Sequence, residues 1–304
     1  MKVPFPQEGI IAALTIPTYA RGRVMKRALA AHLRWLRVQG IHGVLALSST
    51  GEFPHFSVEE RKAILELIAE LAAPLPVIAN ISDIRPSVAA ELGKFARRLK
   101  LAGVAIMPPG MYPVSDADQL AYFQYVADAT QLPVMLYNYP ELMRNRIGPK
   151  TIAVFARHAP LAAIKQSGAD FPYHEILIKL GREFNFKVFT GADTRLPELL
   201  ALGVTGCVGG LANFIPDLMT RIFQDFRKNP LHQSSLAAVQ VQEAGAIIDR
   251  LSFPRNVAAG LAARGLEPGQ PKSIISVDSA RIYREVVLQL RARFTEWKLA
   301  PAAP

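Results

Sequence analysis

GVLALSSTGEFPHFSVEERKAILELIAELAAPLPVIANI, residues 43–81, holds two short apolar runs with a helical pattern between them. The runs GVLALS (43–48) and LPVIANI (75–81) have the length and apolar continuity of strands buried on both faces. Between them, Ser57-Val58-Glu59-Glu60 is a capping box: Ser57 and Glu60 each satisfy a backbone N–H at the start of a helix. Strand, helix and strand in that order make a crossover unit with two parallel strands.

The same unit recurs in both directions along the chain. Apolar runs lie at 10–16, 43–48, 75–81, 103–107, 132–138, 161–165, 186–190 and 205–209, with amphipathic patterns between them. Pro86 and Pro149 suit first-turn helix positions, and Ser115 and Asp193 suit N-caps. Eight strictly alternating strand–helix pairs predict a closed α/β (β/α)8 TIM barrel. An open doubly wound sheet is the alternative, but no glycine-rich phosphate loop follows the first strand. Beyond the eighth run the pattern is helical near 215–228, 233–251, 254–264 and 279–298, interrupted by the looser GLEPGQPKS (265–273). The expected organisation is a barrel over 1–212 and a C-terminal helical segment over 213–304, packed on it.

Composition narrows the function classes. Half of the 304 residues are hydrophobic and 20% are charged, the balance of a globular protein. The single cysteine, Cys207, forms no intramolecular disulfide, which favours a reducing, cytoplasmic setting. Pro4, Pro6 and Glu8 interrupt the N-terminal stretch, so it does not read as a signal peptide, and no apolar run reaches membrane-spanning length. The net charge of +10 is densest from Arg21 to Arg37. There Arg27, Arg34 and Arg37 alternate at helical spacing with Leu29, Leu33 and Leu36, the pattern of a solvated helix face. No nucleic-acid motif accompanies it. The six histidines show no metal-ligand spacing, so no metal is expected, and the lysine chemistry read below calls for no cofactor; His42 and His55 flank the second strand, near the rim.

Barrel enzymes carry their chemistry where strands end. The second strand ends in Ser48-Ser49-Thr50-Gly51-Glu52, the fifth in Tyr137-Asn138-Tyr139-Pro140, the sixth in Lys165 and the eighth in Val208-Gly209-Gly210. A lysine closing an apolar strand is ordinarily a residue that reaches for water; on this rim it faces a tyrosine and a hydroxyl turn. A lysine in water, with a pKa of about 10.4, is nearly all ammonium, and desolvation favours the neutral amine. A neutral amine condenses with a keto group to an imine that stabilises a carbanion beside it. Ser49 and Thr50, with hydroxyl and backbone donors beside Gly51, suit a carboxylate, and Tyr137 suits proton transfer. Glu52 and Asp193 also lie near the rim, the first explained by loop hydrogen bonds and the second by capping.

Together SSTGE (48–52), YNYP (137–140), IKQSG (164–168) and ANFIP (212–216) resemble the dihydrodipicolinate synthase / N-acetylneuraminate lyase superfamily, in order and spacing along essentially the whole chain. The resemblance implies a (β/α)8 barrel with a helical C-terminal segment, assembled as a homo-oligomer, usually a tetramer and otherwise a dimer. It implies a metal-independent lyase or aldolase that acts on pyruvate or another 2-oxo acid through a Schiff base. Lys165 would form the imine, Tyr137 relay protons, Ser49 and Thr50 hold the carboxylate, and Val208 lie beside the keto acid through its backbone.

Two departures bear on the substrate. Gly110 aligns with the tyrosine that an adjacent subunit contributes in the synthase, and Tyr112 is the candidate replacement. Leu142 stands where the synthase has a substrate-binding arginine, as sialic-acid lyases tend to have. Both argue against dihydrodipicolinate synthesis and for cleavage or formation of a sugar-acid-like 2-oxo acid. Arg144 is a candidate contact for a distal anionic group, the alternative being a solvated loop arginine. A sugar-acid dehydratase using the same imine, and a non-catalytic 2-oxo-acid-binding homologue, remain the alternatives.

Overall fold

The computed structural model describes residues 3–20, 22–230 and 235–302. Eight parallel strands close into a barrel in sequence order, with the eighth paired to the first. They are β1 (Gly9–Ala13), β2 (Gly43–Ala46), β3 (Val77–Asn80), β4 (Gly103–Ile106), β5 (Val134–Asn138), β6 (Leu161–Gln166), β7 (Lys187–Thr190) and β8 (Gly206–Gly209). Helices α1 (Lys26–Val38), α2 (Val58–Ala72), α3 (Pro86–Arg98) and α4 (Asp116–Thr130) follow the first four strands. The one-turn α5 (Pro140–Met143) and α6 (Pro149–His158) follow β5, and α7 (Tyr173–Phe184), α8 (Leu196–Leu202) and α9 (Pro216–Lys228) follow the rest. The chain continues through α10 (Leu236–Ile248), α11 (Arg255–Ala263) and α12 (Val277–Glu296).

Local signals act as their chemistry requires. The Ser57–Glu60 capping box is formed in both directions, Ser115 Oγ accepts from the Asp118 N–H, and Pro86 and Pro149 open their helices. Asp193 is the exception: it lies inside a short 3-10 turn, whose N-cap position is Ala192, and it is buried. Helix α1 buries Leu29, Leu33, Trp35 and Leu36 and exposes Arg27, Arg34 and Arg37, the solvated face expected of it; Arg21 lies outside the described residues. The helical pattern read over 233–251 begins on the Ser235 cap, and its first two positions also fall outside them.

Two apolar layers result. Inside the barrel, Phe5, Ile11, Leu45, Ile78, Met135, Ala163, Phe189 and Val208 fill the space between the strands. Between strands and helices lies a larger core that includes Ile10, Val44, Leu136, Ile164, Phe214 and Leu290. Each such side chain larger than alanine contributes about 1.5–3 kcal/mol through its removal from water. Alternation with period two places the site. Ala163 faces the interior and Ile164 the helices, so Lys165 returns to the interior at the end of β6. By the same count Met135 and then Tyr137 face inward on β5, and the ladder pairs Tyr137 with Lys165.

Candidate active site at the C-terminal rim

Lys165 is 3% exposed, and its Nζ lies 4.1 Å from the centre of the Tyr137 ring. The Tyr137 hydroxyl is 2.9 Å from Ser49 Oγ in a buried hydrogen bond that either group can donate. Ser49, Thr50, Tyr137, Lys165 and Val208 line one cavity of about 240 Å³, so five side chains from four segments of the rim converge. The apolar ring under an ammonium supplies attraction through its π face without a counter-charge.

The surrounding hydrogen bonds hold these groups in place. Asn80 Nδ2 donates to the Leu47 carbonyl, Ser82 Oγ to Asn80 Oδ1, and the Met107 N–H to Ser82 Oγ. Asn80 and Ser82 thus fix the backbone from which Ser49 projects. Asn138 donates to Gln166 Oε1 and accepts from the Ile147 N–H, which locks the end of β5 against β6. Asn213, from the ANFIP stretch, donates to the Ala13 and Gly210 carbonyls and accepts from the Thr15 N–H, joining the exits of β1 and β8.

Asp193 enters the same cavity. Its carboxylate accepts from the Gly210 N–H at 3.1 Å, and the Cys207 thiol lies 3.6 Å from it. Burial pushes its pKa up to about 6 against the opposing charge of Lys165 and the N–H donors. Burial likewise raises the Cys207 thiol well above its usual range. An aspartate just ahead of a helical run has the local pattern of a helix cap; what reveals its position is the β8 exit opposite it. Ser167, Thr194 and Asn256 add further polar groups to the lining.

Other candidates fall elsewhere. Tyr112 is 64% exposed and lines neither this cavity nor its neighbour. Arg144 is exposed, in a left-handed conformation at the end of α5, while Arg146 pairs with Asp170 and lies over Tyr173. Gly110 and Leu142 line a second, largely apolar cavity of about 500 Å³ with Phe53, Ile84 and Met143; it meets the first at Ser49 and Phe253. His55 lines this second cavity, but His42 accepts from the Ile10 N–H at the opposite end of the barrel. Glu52 is held by an ion pair with Lys272 at 2.7 Å rather than by loop hydrogen bonds alone. Among the described residues, no group of three or more His, Cys, Asp or Glu side chains is placed to hold a metal ion.

A closed parallel barrel with a buried lysine, a tyrosine and a hydroxyl turn gathered at its C-terminal rim defines a (β/α)8 protein whose candidate site lies where barrel enzymes carry theirs. The model of the dihydrodipicolinate synthetase family matches residues 6–287, and the chain belongs to that family. An uncharacterised DapA-like lyase of Pyrococcus furiosus is 28% identical over 296 residues, covering 96% of this chain and 97% of the relative. Among solved structures, YagE, a prophage protein of the dihydrodipicolinic acid synthase family from E. coli K12, solved in complex with pyruvate, superimposes with a TM-score of 0.88. It is 24% identical, covering 96% of this chain and 99% of YagE. The 2-keto 3-deoxygluconate aldolase from Picrophilus torridus superimposes with a TM-score of 0.80 at 22% identity, covering 88% of this chain and 98% of that one. No helix among the described residues is long and apolar enough to cross a membrane.

Proposed function

We propose that the protein is a class I aldolase that cleaves or forms a sugar-acid-like 2-oxo acid through an imine on Lys165. The observation that carries this is the buried Lys165 amine above the Tyr137 ring, with the Tyr137–Ser49 hydrogen bond beside it in one cavity. The neutral amine attacks the keto carbon, and the carbinolamine loses water to give a protonated imine. Ser49 and Thr50 hold the substrate carboxylate, with the Val208 backbone alongside. Tyr137 gives its proton to the departing carbinolamine hydroxyl, and in cleavage the resulting phenolate takes the proton of the hydroxyl on the carbon that becomes the aldehyde. The carbon–carbon bond electrons pass into the imine to form an enamine. Protonation of the enamine carbon and hydrolysis then release the 2-oxo acid and restore Lys165. The imine is itself the electron sink, so the route uses neither metal nor dissociable cofactor.

Ser167, Asp193, Thr194 and Asn256 support a hydroxylated tail, because each offers polar atoms along the same cavity. The YagE–pyruvate complex and the Picrophilus aldolase are consistent with a 2-oxo acid. A homo-oligomer belongs to the same proposal, supported by the exposed Met111 and Tyr112 on the loop after β4. Borohydride reduction with pyruvate, read by intact mass and peptide mapping, tests the central step. The expected result is a pyruvate-derived mass gain on Lys165 that is absent from Lys165→Ala. Folded protein that traps neither pyruvate nor longer 2-oxo acids refutes the assignment.

A further inference from the structure

The turn that presents Ser49 and Thr50 also carries a carboxylate of its own. Glu52 adopts a left-handed conformation, φ 57°, directly after Gly51, and its N–H donates to the Ser49 carbonyl. A β-carbon on Gly51 would stand 2.8 Å from the Leu14 carbonyl, so the turn lies hard against the exit of β1. An unbalanced acid three residues from Ser49 would oppose the arrival of an anionic substrate.

The balancing charge comes from far along the chain. Residues 265–276, between α11 and α12, cross back over the β1 exit. Gly269, φ 80°, sits where a β-carbon would strike the Thr18 backbone, and the Gln270 N–H donates to the Thr18 carbonyl at 2.7 Å. This contact delivers Lys272, whose Nζ donates to the Ile16 carbonyl at 2.9 Å and to Glu52 Oε2 at 2.7 Å. The side chains are 8% and 22% exposed, so water screens the pair poorly. One ammonium therefore joins the C-terminal segment, the β1 exit and the Ser48–Glu52 turn.

We propose that Lys272 is a positioning residue that neutralises Glu52 and holds it aside, keeping the turn receptive to the carboxylate of a 2-oxo acid. The inference rests on the function proposed above and adds to it a charge supplied from outside the barrel. It makes a prediction about sign. Removing the lysine weakens carboxylate binding, whereas removing the glutamate leaves an unbalanced cation beside the turn and preserves or strengthens it. A purely structural staple would weaken binding from either side.

The test is the pyruvate concentration for half-maximal borohydride trapping, measured on wild type, K272M, K272R, E52Q and K272M/E52Q. For K272M we expect a rise of about tenfold, the size expected of one uncompensated charge in a partly screened site, with the plateau of trapped protein unchanged. K272R should restore wild-type behaviour, E52Q should not rise, and the double variant should return toward wild type. Ethyl pyruvate, with the same keto group and no charge, should be trapped equally by wild type and K272M. Wild-type half-saturation in folded K272M, or an E52Q as impaired as K272M, overturns the proposal while leaving the imine standing. Should K272M fail to fold, the direction of the E52Q shift decides. Wild-type protein that traps no 2-oxo acid overturns both.

Discussion

Tyr137→Phe separates proton transfer from everything else Tyr137 does. The ring that lies 4.1 Å from Lys165 Nζ is retained, and only the hydroxyl bonded to Ser49 is lost. The stability cost follows from that bond. Its removal costs about 0.5–1.5 kcal/mol, and a buried Ser49 Oγ left unsatisfied brings the total to about 1–3 kcal/mol. A protein stable by about 5–15 kcal/mol stays folded under that loss. Loss of a positioned acid–base group costs about 10²–10⁴ in rate, and each tenfold is about 1.36 kcal/mol of barrier. The assay is exchange of the pyruvate methyl protons with D2O, followed by NMR, which reports imine–enamine interconversion without any aldehyde. We expect exchange to fall at least a hundredfold while borohydride still traps the protein to the same final extent. Exchange at the wild-type rate in folded Tyr137→Phe would refute Tyr137 as the relay.

Two further predictions concern pH. His32, buried with its Nε2–H on the Asn213 carbonyl, has its pKa lowered to about 4 by burial, so the unfolded chain binds the extra proton between about pH 6.5 and 4. Stability should fall by about 3 kcal/mol as pH drops through that window. Urea melts of His32→Gln, whose amide can keep the bond, should lack this contribution; an unchanged slope would contradict it. Asp193 has the opposite sign: its folded pKa of about 6 exceeds the unfolded one, so the native state holds the proton and stability falls as pH rises from about 4 to 6. Asp193→Asn should abolish that loss, again on the order of 3 kcal/mol. The two contributions nearly cancel in the wild-type profile, so each is exposed in the variant that removes the other.

The barrel is legible because strands buried on both faces must be continuous apolar runs, and because crossover helices begin with chemistry visible in a few residues. Strand ends are less so. LPVIANI reads as one run, yet the strand begins at Val77: Pro76 has no N–H to give, and its carbonyl accepts from the Val44 N–H. Lys165 and Tyr137 could be placed on one rim from strand polarity alone. The same polarity sets His42, which precedes β2, at the other end. Asp193 and the Lys272–Glu52 pair were not legible in the same way. Asp193 carries the local pattern of a cap, and only the β8 exit folded against it makes it a buried acid. Lys272 and Glu52 are 220 positions apart, with no local pattern linking them.

The Asn213 bonds that join the β1 and β8 exits have a consequence in time. Asn213 lies 198 positions from Thr15. At about 5–20 residues per second of synthesis, about 10–40 s separate their emergence from the ribosome. Throughout that interval β1 has an unpaired edge where β8 will bind. The nascent chain must therefore protect an incomplete sheet from other strands, and the hydrogen bonds that join the two exits are made only after Asn213 has emerged.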